Sequence, residues 1–236
     1  MHLSIIIPAL NEAAALPATL AALAPLAERG AQILVVDGGS TDATFALALQ
    51  SGTAGVQALR SQPGRARQMN TGAAQSSGDV LLFLHADTRL PPAADDCIAS
   101  ALAAGAASPA IPPAPPLWGR FDVHIEGRSR WLPLVARLIN LRSRLSGIAT
   151  GDQALFVTAA AFRQVGGFPD QPLMEDVELC KRLGALSRPA CLREKVTTSG
   201  RRWDQRGALR TIVLMWRLRW LYWRGVPADA LARLYR

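Results

Sequence analysis

The chain has 236 residues, half of them hydrophobic, which fits one large domain, or one domain with a C-terminal extension. Its net charge is +8, and 24 of the 26 basic residues are Arg, because Lys181 and Lys195 are the two Lys. Arg suits phosphate and diphosphate groups, although a genomic bias towards Arg and Ala codons explains this composition equally well. No helix-turn-helix, zinc-finger or aromatic RNA-binding signature accompanies the charge, so we predict no nucleic-acid partner.

Cysteine usage and the length of the apolar runs indicate the compartment. Cys97, Cys180 and Cys191 form no CxxC pair, and reduced thiols in the cytosol are the simplest interpretation. No charged leader precedes the first predicted strand, and no run reaches about 18 apolar residues. We therefore expect a cytoplasmic protein without a spanning helix, and the C-terminal segment leaves peripheral attachment to the inner face of the membrane open.

Strands and helices alternate over the first hundred residues. The predicted strands are residues 3–8, 32–37, 56–60 and 79–85, and the predicted helices are residues 12–29, a segment after Thr41, and residues 65–76. Asn11 is assigned as the N-cap of the first helix, and Asp42 is placed in the first turn of the second. Gln68 and Asn70 of the third helix suit ordinary surface positions equally well and are not assigned to the site.

The predicted strands are apolar almost throughout, without a period of two. Such strands are covered on both faces, which is typical of a parallel sheet in an α/β domain. Parallel sheets bind ligands at the carboxyl ends of their strands. The polar residues at those ends are Asn11, Glu12, Asp37, His85 and Asp87. We therefore expect the ligand site at this edge of the sheet.

The second half begins with a Pro- and Ala-rich segment, residues 104–116, which predicts a loop or linker. The predicted strands beyond it are residues 120–125 and 153–157, and the predicted helices are residues 129–144, 159–165 and 175–183. Residues 207–224 combine Arg, Trp and Leu in a helical pattern. This pattern fits a helix on a membrane surface, and equally a packed amphipathic helix whose Arg side chains reach out to solvent.

Seven segments resemble, in order, those of the family 2 glycosyltransferases. They are SIIIPALNE (4–12), VVDGGSTDAT (35–44), GRARQMNTGA (64–73), FLHADT (83–88), GDQALFV (151–157), GGFP (166–169) and MEDVELCKRL (174–183). The resemblance extends to about residue 203 and is nearest to a small bacterial subgroup with FLHADTRLP in place of a full DxD motif. It implies a GT-A-like α/β fold, with a mostly parallel central sheet flanked by helices and a C-terminal amphipathic helical extension.

The resemblance also implies a division of labour along the chain. Residues 1–104 are expected to bind the nucleotide-sugar, residues 105–203 to form the acceptor-binding and catalytic half of the same domain, and residues 204–236 to form the basic C-terminus. The implied reaction is inverting transfer of a sugar from a nucleotide-diphosphate donor to an acceptor hydroxyl. A UDP-sugar is favoured as donor. The acceptor is unknown, and the basic aromatic C-terminus suggests a lipid-linked one.

Donor binding is implied for residues at the strand ends and for two Arg. They are Pro8, Ala9, Asn11, Glu12, Asp37, Arg65, His85, Asp87 and Arg202. Asp37 would accept from the base or the ribose, although it also suits a turn before two glycines. Arg65 lies at a helix start rich in small residues, which favours anions.

The metal expectation depends on the segment that stands where the family carries DxD. Asp87 matches the last carboxylate, which would hold Mn²⁺ or Mg²⁺ against the diphosphate. His85 replaces the first carboxylate, which usually contacts the ribose. A structural, hydrogen-bonded His85 is favoured over a ligating one.

The catalytic expectation concerns the Glu175–Asp176 pair. By resemblance Asp176 is the general base that takes the proton of the acceptor hydroxyl, with Glu175 beside it. Both residues would also suit an ordinary helix N-terminus. Acceptor binding is implied for Gly151, Asp152 and Trp203. Arg202 and Trp203 match only the end of the family's QxxRW motif, because Ser199 stands at the Gln position, and a basic lead-in to a helix is the alternative.

Other functions compete with the transferase. A nucleotidyltransferase would carry a Gly-rich loop after the first strand, where this chain has PALNE. A dehydrogenase would carry GxGxxG there. A processive synthase would carry spanning helices. A non-catalytic protein of this fold that binds membranes or polyanions fits the basic charge and His85, but the retained Asp176 favours an enzyme.

Overall fold

The computed structural model describes residues 1–103 and 116–235, so almost all of the predicted linker at 104–116 lies outside the described residues. The strands are β1 (Leu3–Ala9), β2 (Gln32–Asp37), β3 (Val56–Arg60), β4 (Val80–Phe83), β5 (Thr88–Arg89), β6 (Trp118–Glu126), β7 (Leu155–Thr158) and β8 (Ala190–Ser199). The helices are α1 (Leu16–Glu28), α2 (Thr44–Leu49), α3 (Arg65–Ala74), α4 (Ala94–Ala103), α5 (Leu132–Ser146), α6 (Ala159–Gln164), α7 (Glu175–Gly184), α8 (Arg201–Arg206), α9 (Ala208–Trp223) and α10 (Ala228–Tyr235). A 3-10 turn, Gly151–Gln153, precedes β7.

The strands of the described residues form one sheet in the order β3-β2-β1-β4-β7-β6-β8-β5. Strands β1 to β4 are parallel, and β6 and β8 are parallel to each other. Strand β7 runs antiparallel between β4 and β6, and β5 runs antiparallel along β8. The predicted α/β class with a mostly parallel central sheet is confirmed. Because one sheet spans both halves of the chain, the two halves share a single framework.

Helices cover both faces of this sheet. Along β1, Ile5 and Ile7 face one core cluster and Ile6 faces the other, because successive side chains of a strand point to opposite faces. The first cluster includes residues of α1, α2, α4 and α5, and the second includes residues of α3, α6 and α7. All three Ile side chains are fully buried. The continuous apolar runs of the sequence thus have their physical cause in two packed layers of helices.

Two predicted helix starts are wrong. Helix α1 begins at Leu16, and Asn11, with φ 55°, is not its N-cap. Its side-chain oxygen accepts instead from the N–H of Thr41 at 2.9 Å, which ties the loop after β1 to the loop after β2. Asp42 lies before α2 rather than in its first turn, and its carboxylate accepts from the N–H of Thr44 at 2.9 Å. Both polar side chains hold loops together, which local propensity does not reveal.

Gln68 and Asn70 do not occupy the ordinary surface positions that the sequence left open for them. The Gln68 side chain is buried, and its amide nitrogen donates to the carbonyls of Ala9 at 2.7 Å and Val36 at 2.8 Å. Asn70 exchanges hydrogen bonds with the backbone of Phe168, accepting from its N–H at 3.0 Å and donating to its carbonyl at 2.8 Å. Helix α3 therefore fixes the ends of β1 and β2 beside the loop before α7.

We expect Gln68→Leu to destabilise the protein by about 1–3 kcal/mol, because two strand-end carbonyls lose a buried donor. Urea unfolding should show a lower midpoint with an unchanged slope. Gln75→Leu is the matched control, since that side chain at the end of the same helix is exposed. Equal midpoints for the two variants would contradict this role of Gln68.

The C-terminal helices pack on the domain through one face. Leu218 of α9 and Leu231 of α10 are fully buried against Met174 and Val177 at the start of α7. The opposite face of α9 leaves Trp216, Trp220 and Trp223 exposed. Within the described parts of the chain, no helix is long and apolar enough to cross a membrane. One face of the helix is packed, as one of the two interpretations expected, and membrane contact through the exposed face stays a prediction.

Candidate functional site

The direction of β7 assembles the predicted site residues. Because β7 is antiparallel to β4 and Phe83 pairs with Leu155, the turn before β7 lies beside the loop that follows β4. A side chain at Gly151 would place its Cβ 2.5 Å from Nε2 of His85 and 2.4 Å from Nη2 of Arg65. The close packing therefore requires glycine at this position. Residues that are 86 positions apart in sequence meet here at the carboxyl edge of the parallel strands.

Asp176 faces this turn from the start of α7. Its Oδ2 accepts from the N–H of Gly151 at 3.1 Å, and its Oδ1 accepts from the N–H of Val177 at 2.7 Å. The neighbouring Glu175 is buried and forms an ion pair with Arg65, with Nε and Oε1 3.6 Å apart. A pocket lined by Pro8, Arg65, His85, Gly151, Glu175 and Asp176 lies between these groups. The structure thus brings both predicted catalytic carboxylates to one pocket with donor-side residues.

Burial, followed by the charge of the nearby Glu175, raises the pKa of Asp176 to about 7, although Arg65 offsets part of this shift. An aspartate with this pKa is partly protonated at neutral pH. It is a far stronger base than an exposed aspartate, yet it still ionises in the physiological range. These properties suit proton transfer from a hydroxyl, and the role of Asp176 as general base stays a prediction.

His85 is buried at the same pocket. Burial, followed by the charges of Arg65 and Arg202, holds the pKa of His85 well below its usual range, so the imidazole is neutral at physiological pH. Its Nε2 is shielded from solvent and makes no hydrogen bond to any of the described residues. A buried polar atom without a partner is unusual in a folded protein. Nε2 is packed closely against Gly151, and the role of His85 in donor binding stays a prediction.

Asp87 and Glu12 form an acidic pair at the donor edge. Burial raises the pKa of both carboxyls, and the two carboxylates lie near enough to repel each other. Arg201 partly offsets this repulsion, with its Nη2 3.5 Å from Oε2 of Glu12. The sequence analysis singled out Arg202 and overlooked Arg201. The only available signal was the pair of adjacent Arg residues, which does not tell which one faces the carboxylates.

The carboxylates near Asp87 suit a divalent cation that is bound jointly by the protein and a substrate. Among residues 1–103 and 116–235, no three His, Cys, Asp or Glu side chains gather into a complete metal site. Mg²⁺ usually needs only one or two protein carboxylates when phosphate oxygens complete its shell. Asp87 is partly buried, its pKa is raised, and Asp152 adds negative potential. These carboxylates therefore fit Mn²⁺ or Mg²⁺ in the presence of a diphosphate.

Hydrogen bonds and burial hold the carboxyl ends of β1 and β2 in place. The Asp37 carboxylate is buried and accepts from the N–H groups of Gly39 and Ser40, both at 3.1 Å. The turn-forming contact that the sequence allowed is thus present, and donor binding by Asp37 stays a prediction. Ala9 is buried, and Pro8 lines the pocket. The ends of β1 and β2 are held by these contacts on the side of the pocket that Pro8 and Arg65 line.

Arg202 and Trp203 of helix α8 have different surroundings, because Arg202 interacts with His85 and Trp203 packs against the core. The charge of Arg202 reaches His85, and its guanidinium lies 5.0 Å from the ring centre of Tyr235. Trp203 is half-buried and packs against the core cluster that contains Leu132. Core packing accounts for part of the Trp203 surface, and its role as an acceptor wall stays a prediction.

Arg142 of α5 lies close to the predicted site residues Asp152 and Asp176, which the sequence analysis did not foresee. Its Nε is buried without a hydrogen bond to any described residue, and its Nη2 lies 3.5 Å from the Thr150 hydroxyl. Burial lowers the pKa of Arg142, whereas the charges of Asp152 and Asp176 raise it. No motif marked this Arg among 24, because its position depends on how α5 packs against the turn before β7.

Comparisons with known proteins concern the family and the fold of the chain. The model of the Glycosyl transferase family 2 matches residues 4–158, well over half of the chain. Glucosyl-3-phosphoglycerate synthase of Mycobacterium tuberculosis is 34% identical over 92 residues, a match that covers 36% of this chain and 28% of that relative. The chain therefore aligns with less than a third of the relative's length.

Solved structures share the fold at low sequence identity. A crystal structure of Staphylococcus aureus TarS 1-349 has a TM-score of 0.64 at 16% identity, covering 85% of this chain and 61% of that one. The mycobacterial synthase in complex with Mn²⁺, UDP and glucosyl-3-phosphoglycerate has a TM-score of 0.59 at 21% identity, covering 96% and 81%. A Pyrobaculum calidifontis mannosyltransferase in complex with GDP-Man and Mn²⁺ has a TM-score of 0.59 at 19% identity, covering 83% and 56%. These likenesses concern the fold, and the extent of the family match shows that this chain belongs to glycosyl transferase family 2.

Proposed function

We propose that this protein is an inverting glycosyltransferase that moves a sugar from a nucleotide-diphosphate donor to an acceptor hydroxyl. The observation that carries the proposal is the position of Asp176. Its carboxylate has a pKa of about 7, is oriented by the N–H of Gly151, and lies at the carboxyl edge of the parallel strands. Donor residues are expected at that same edge.

In this reaction Asp176 accepts the proton of the acceptor hydroxyl as its oxygen attacks the anomeric carbon. The bond from that carbon to the diphosphate oxygen breaks, and the electron pair leaves with the nucleoside diphosphate. Attack from the face opposite the leaving group inverts the centre, and no covalent link to the enzyme is needed. Each Asp176 oxygen already accepts one backbone N–H, which holds the carboxylate in place while a further lone pair takes the proton.

The donor diphosphate is held in this proposal by positive charge and a metal ion. Asp87 holds Mn²⁺ or Mg²⁺, which supplies charge neutralisation for the departing diphosphate. Arg65 and Arg202 add positive charge beside the neutral His85, which contacts the donor in this proposal. Pro8, Ala9, Asn11, Glu12 and Asp37 form the wall for the base and ribose.

A UDP-sugar is the favoured donor. TarS structures include complexes with UDP-GlcNAc and UDP, and a mycobacterial synthase structure contains Mg²⁺ and UDP. The archaeal mannosyltransferase holds GDP-Man, so the base is the part of the donor that the test below must decide. The likeness of FLHADTRLP to a small bacterial subgroup is part of the same proposal.

The acceptor side is assigned to the second half of the chain. Residues 1–104 bind the donor, residues 105–203 bind the acceptor through Gly151, Asp152 and Trp203, and residues 204–236 form the basic extension. A lipid-linked acceptor suits this arrangement, with the protein peripheral on the inner face of the membrane and contacts through residues 207–224. The exposed Trp216, Trp220 and Trp223 of α9 support this placement.

The test measures nucleotide binding through its effect on the thermal unfolding temperature, Tm. UDP, GDP, CDP, ADP and dTDP are compared, each with and without Mn²⁺. We expect UDP with Mn²⁺ to raise Tm most, since a ligand at about 100 times its Kd adds about 2.7 kcal/mol to the free energy of unfolding. If no nucleotide raises Tm under any condition, the transferase proposal fails, and a non-catalytic binding protein of this fold replaces it.

A further inference from the structure

Two stretches of the chain are basic and lack acidic residues altogether. Residues 127–151 contain five Arg and residues 205–228 contain another five, and none of the 18 Asp and Glu lies in either stretch. The first stretch contains α5 and the second contains α9. The sequence analysis noticed only the second, because α5 has no tryptophan within it.

Helix α5 exposes a continuous apolar stripe. Leu134, Leu138, Leu141 and Leu145 follow one another at intervals of four, three and four residues and are all exposed, Leu145 by 80%. This spacing places them on one face of the helix. The opposite face packs into the core through Leu132, Val135 and Ala136. The outward leucines therefore belong to no core cluster of the described residues.

Helix α9 repeats this arrangement with larger side chains. Val213, Trp216, Trp220 and Trp223 follow one another at intervals of three, four and three residues, and each is more than half exposed. Arg210, Arg217 and Arg224 are exposed on the same helix or directly after it. Trp and Arg together are typical of helices that lie in the interface of a bilayer.

The two helices are joined through α8. The Asp204 carboxylate accepts from the N–H groups of Arg128 and Ser129, at 2.8 and 3.0 Å, just before α5 begins. Ile212 of α9 packs against the core cluster that contains Leu132 and Val135 of α5. The two stripes are thus carried by elements that are fixed to one another.

We propose that α5 and α9 together form a face that docks on an anionic lipid bilayer. The Arg side chains that complement acidic headgroups are the exposed Arg130, Arg137, Arg210, Arg217 and Arg224. The leucines and tryptophans enter the boundary of the acyl chains. A second copy of the chain fits this face poorly, because self-association would set Arg against Arg with no acidic partner in either stretch. The inference extends the membrane contact proposed above to α5, and it does not depend on catalysis.

Vesicle flotation tests the face with the full chain. We expect the protein to float with vesicles of phosphatidylcholine and phosphatidylglycerol at low salt, to float less at high salt, and not to float with phosphatidylcholine alone. Leu141→Ser/Leu145→Ser should lower the partition coefficient by about tenfold or more, because two leucines no longer enter the bilayer. Trp216→Ser/Trp220→Ser should lower it at least as much.

The matched control is Leu10→Ser/Leu49→Ser, which changes two leucines of similar exposure, 50% and 67%, away from α5 and α9. It should float like the wild type, and urea unfolding checks that every variant is folded. Equal flotation of the α5 variant and the wild type, or equal flotation with neutral vesicles, would overturn the proposal. A wild-type dimer in light scattering that the α5 substitutions dissociate would overturn it in favour of a second copy. Nucleotide-induced stabilisation is a separate readout, so a failure here is distinguishable from a failure of the transferase proposal.

Discussion

Asp176→Asn is expected to reduce sugar transfer by about 10²- to 10⁴-fold while leaving nucleotide binding intact, because the amide cannot accept the acceptor proton. The amide oxygen can still accept from the N–H of Gly151, so the turn before β7 should keep its place. The measurement is transfer rate under saturating donor, together with the nucleotide-induced rise in Tm. Retained turnover would remove Asp176 from its role.

Glu178→Gln is the control for this substitution. Glu178 is a carboxylate of the same helix, half-buried and paired with Lys181 and Arg182 on the side that packs against Tyr222. Its neutralisation should leave transfer within about threefold of the wild type, since it touches neither pocket nor substrate in this proposal. A loss as large as that of Asp176→Asn would show that α7 is sensitive to any loss of charge.

The pH dependence follows from the raised pKa of Asp176. The base works only when it is deprotonated, so wild-type transfer should rise with pH through about 7 and level off above it. Stability should respond in the opposite sense. A carboxyl whose pKa is raised by folding, here from 3.8, contributes stability that is present at low pH and is lost as pH rises through about 7. The Tm of Asp176→Asn should therefore exceed that of the wild type more at pH 8 than at pH 4.

Asp87→Asn is expected to abolish the Mn²⁺-dependent part of nucleotide stabilisation and to reduce transfer by at least about 10²-fold. The physical reason is that a neutral amide is a poor ligand for a hard divalent cation, whose stabilisation of the leaving diphosphate contributes several kcal/mol. Thermal unfolding with UDP, with and without Mn²⁺, separates metal-dependent binding from binding of the nucleotide alone.

Asp96→Asn is the control, because Asp96 is an exposed carboxylate of α4. It should behave as the wild type in both measurements. If Asp87→Asn kept the full Mn²⁺-dependent rise in Tm, Asp87 would not hold the metal. Glu12 and Asp152 would then be the next carboxylates to substitute. Both interact electrostatically with Asp87, because Asp87 raises the pKa of Glu12 and Asp152 raises the pKa of Asp87.

The sequence by itself determined the sheet and its polar edge. The apolar runs at residues 3–8 and 32–37 predicted buried parallel strands because both faces of such strands need apolar cover, and Ile5, Ile6 and Ile7 have it. Asp37, His85 and Asp87 were predictable as strand-end residues for the same reason. The order of the motifs also indicates the family, because each motif lies at a fixed element of the fold.

Only the tertiary structure decided which side chains meet and what each one does. Gln68 lies in a polar helix segment, yet its amide is buried because α3 packs across the ends of β1 and β2. Asn11 and Asp42 tie loops together, because their partners come from segments distant in sequence or from the turn itself. The raised pKa of Asp176 and the lowered pKa of Arg142 both result mainly from desolvation, which is a property of the packed chain and not of a local pattern. The exposure of the α5 leucines likewise depends on tertiary packing, because packing decides which face of that helix is buried.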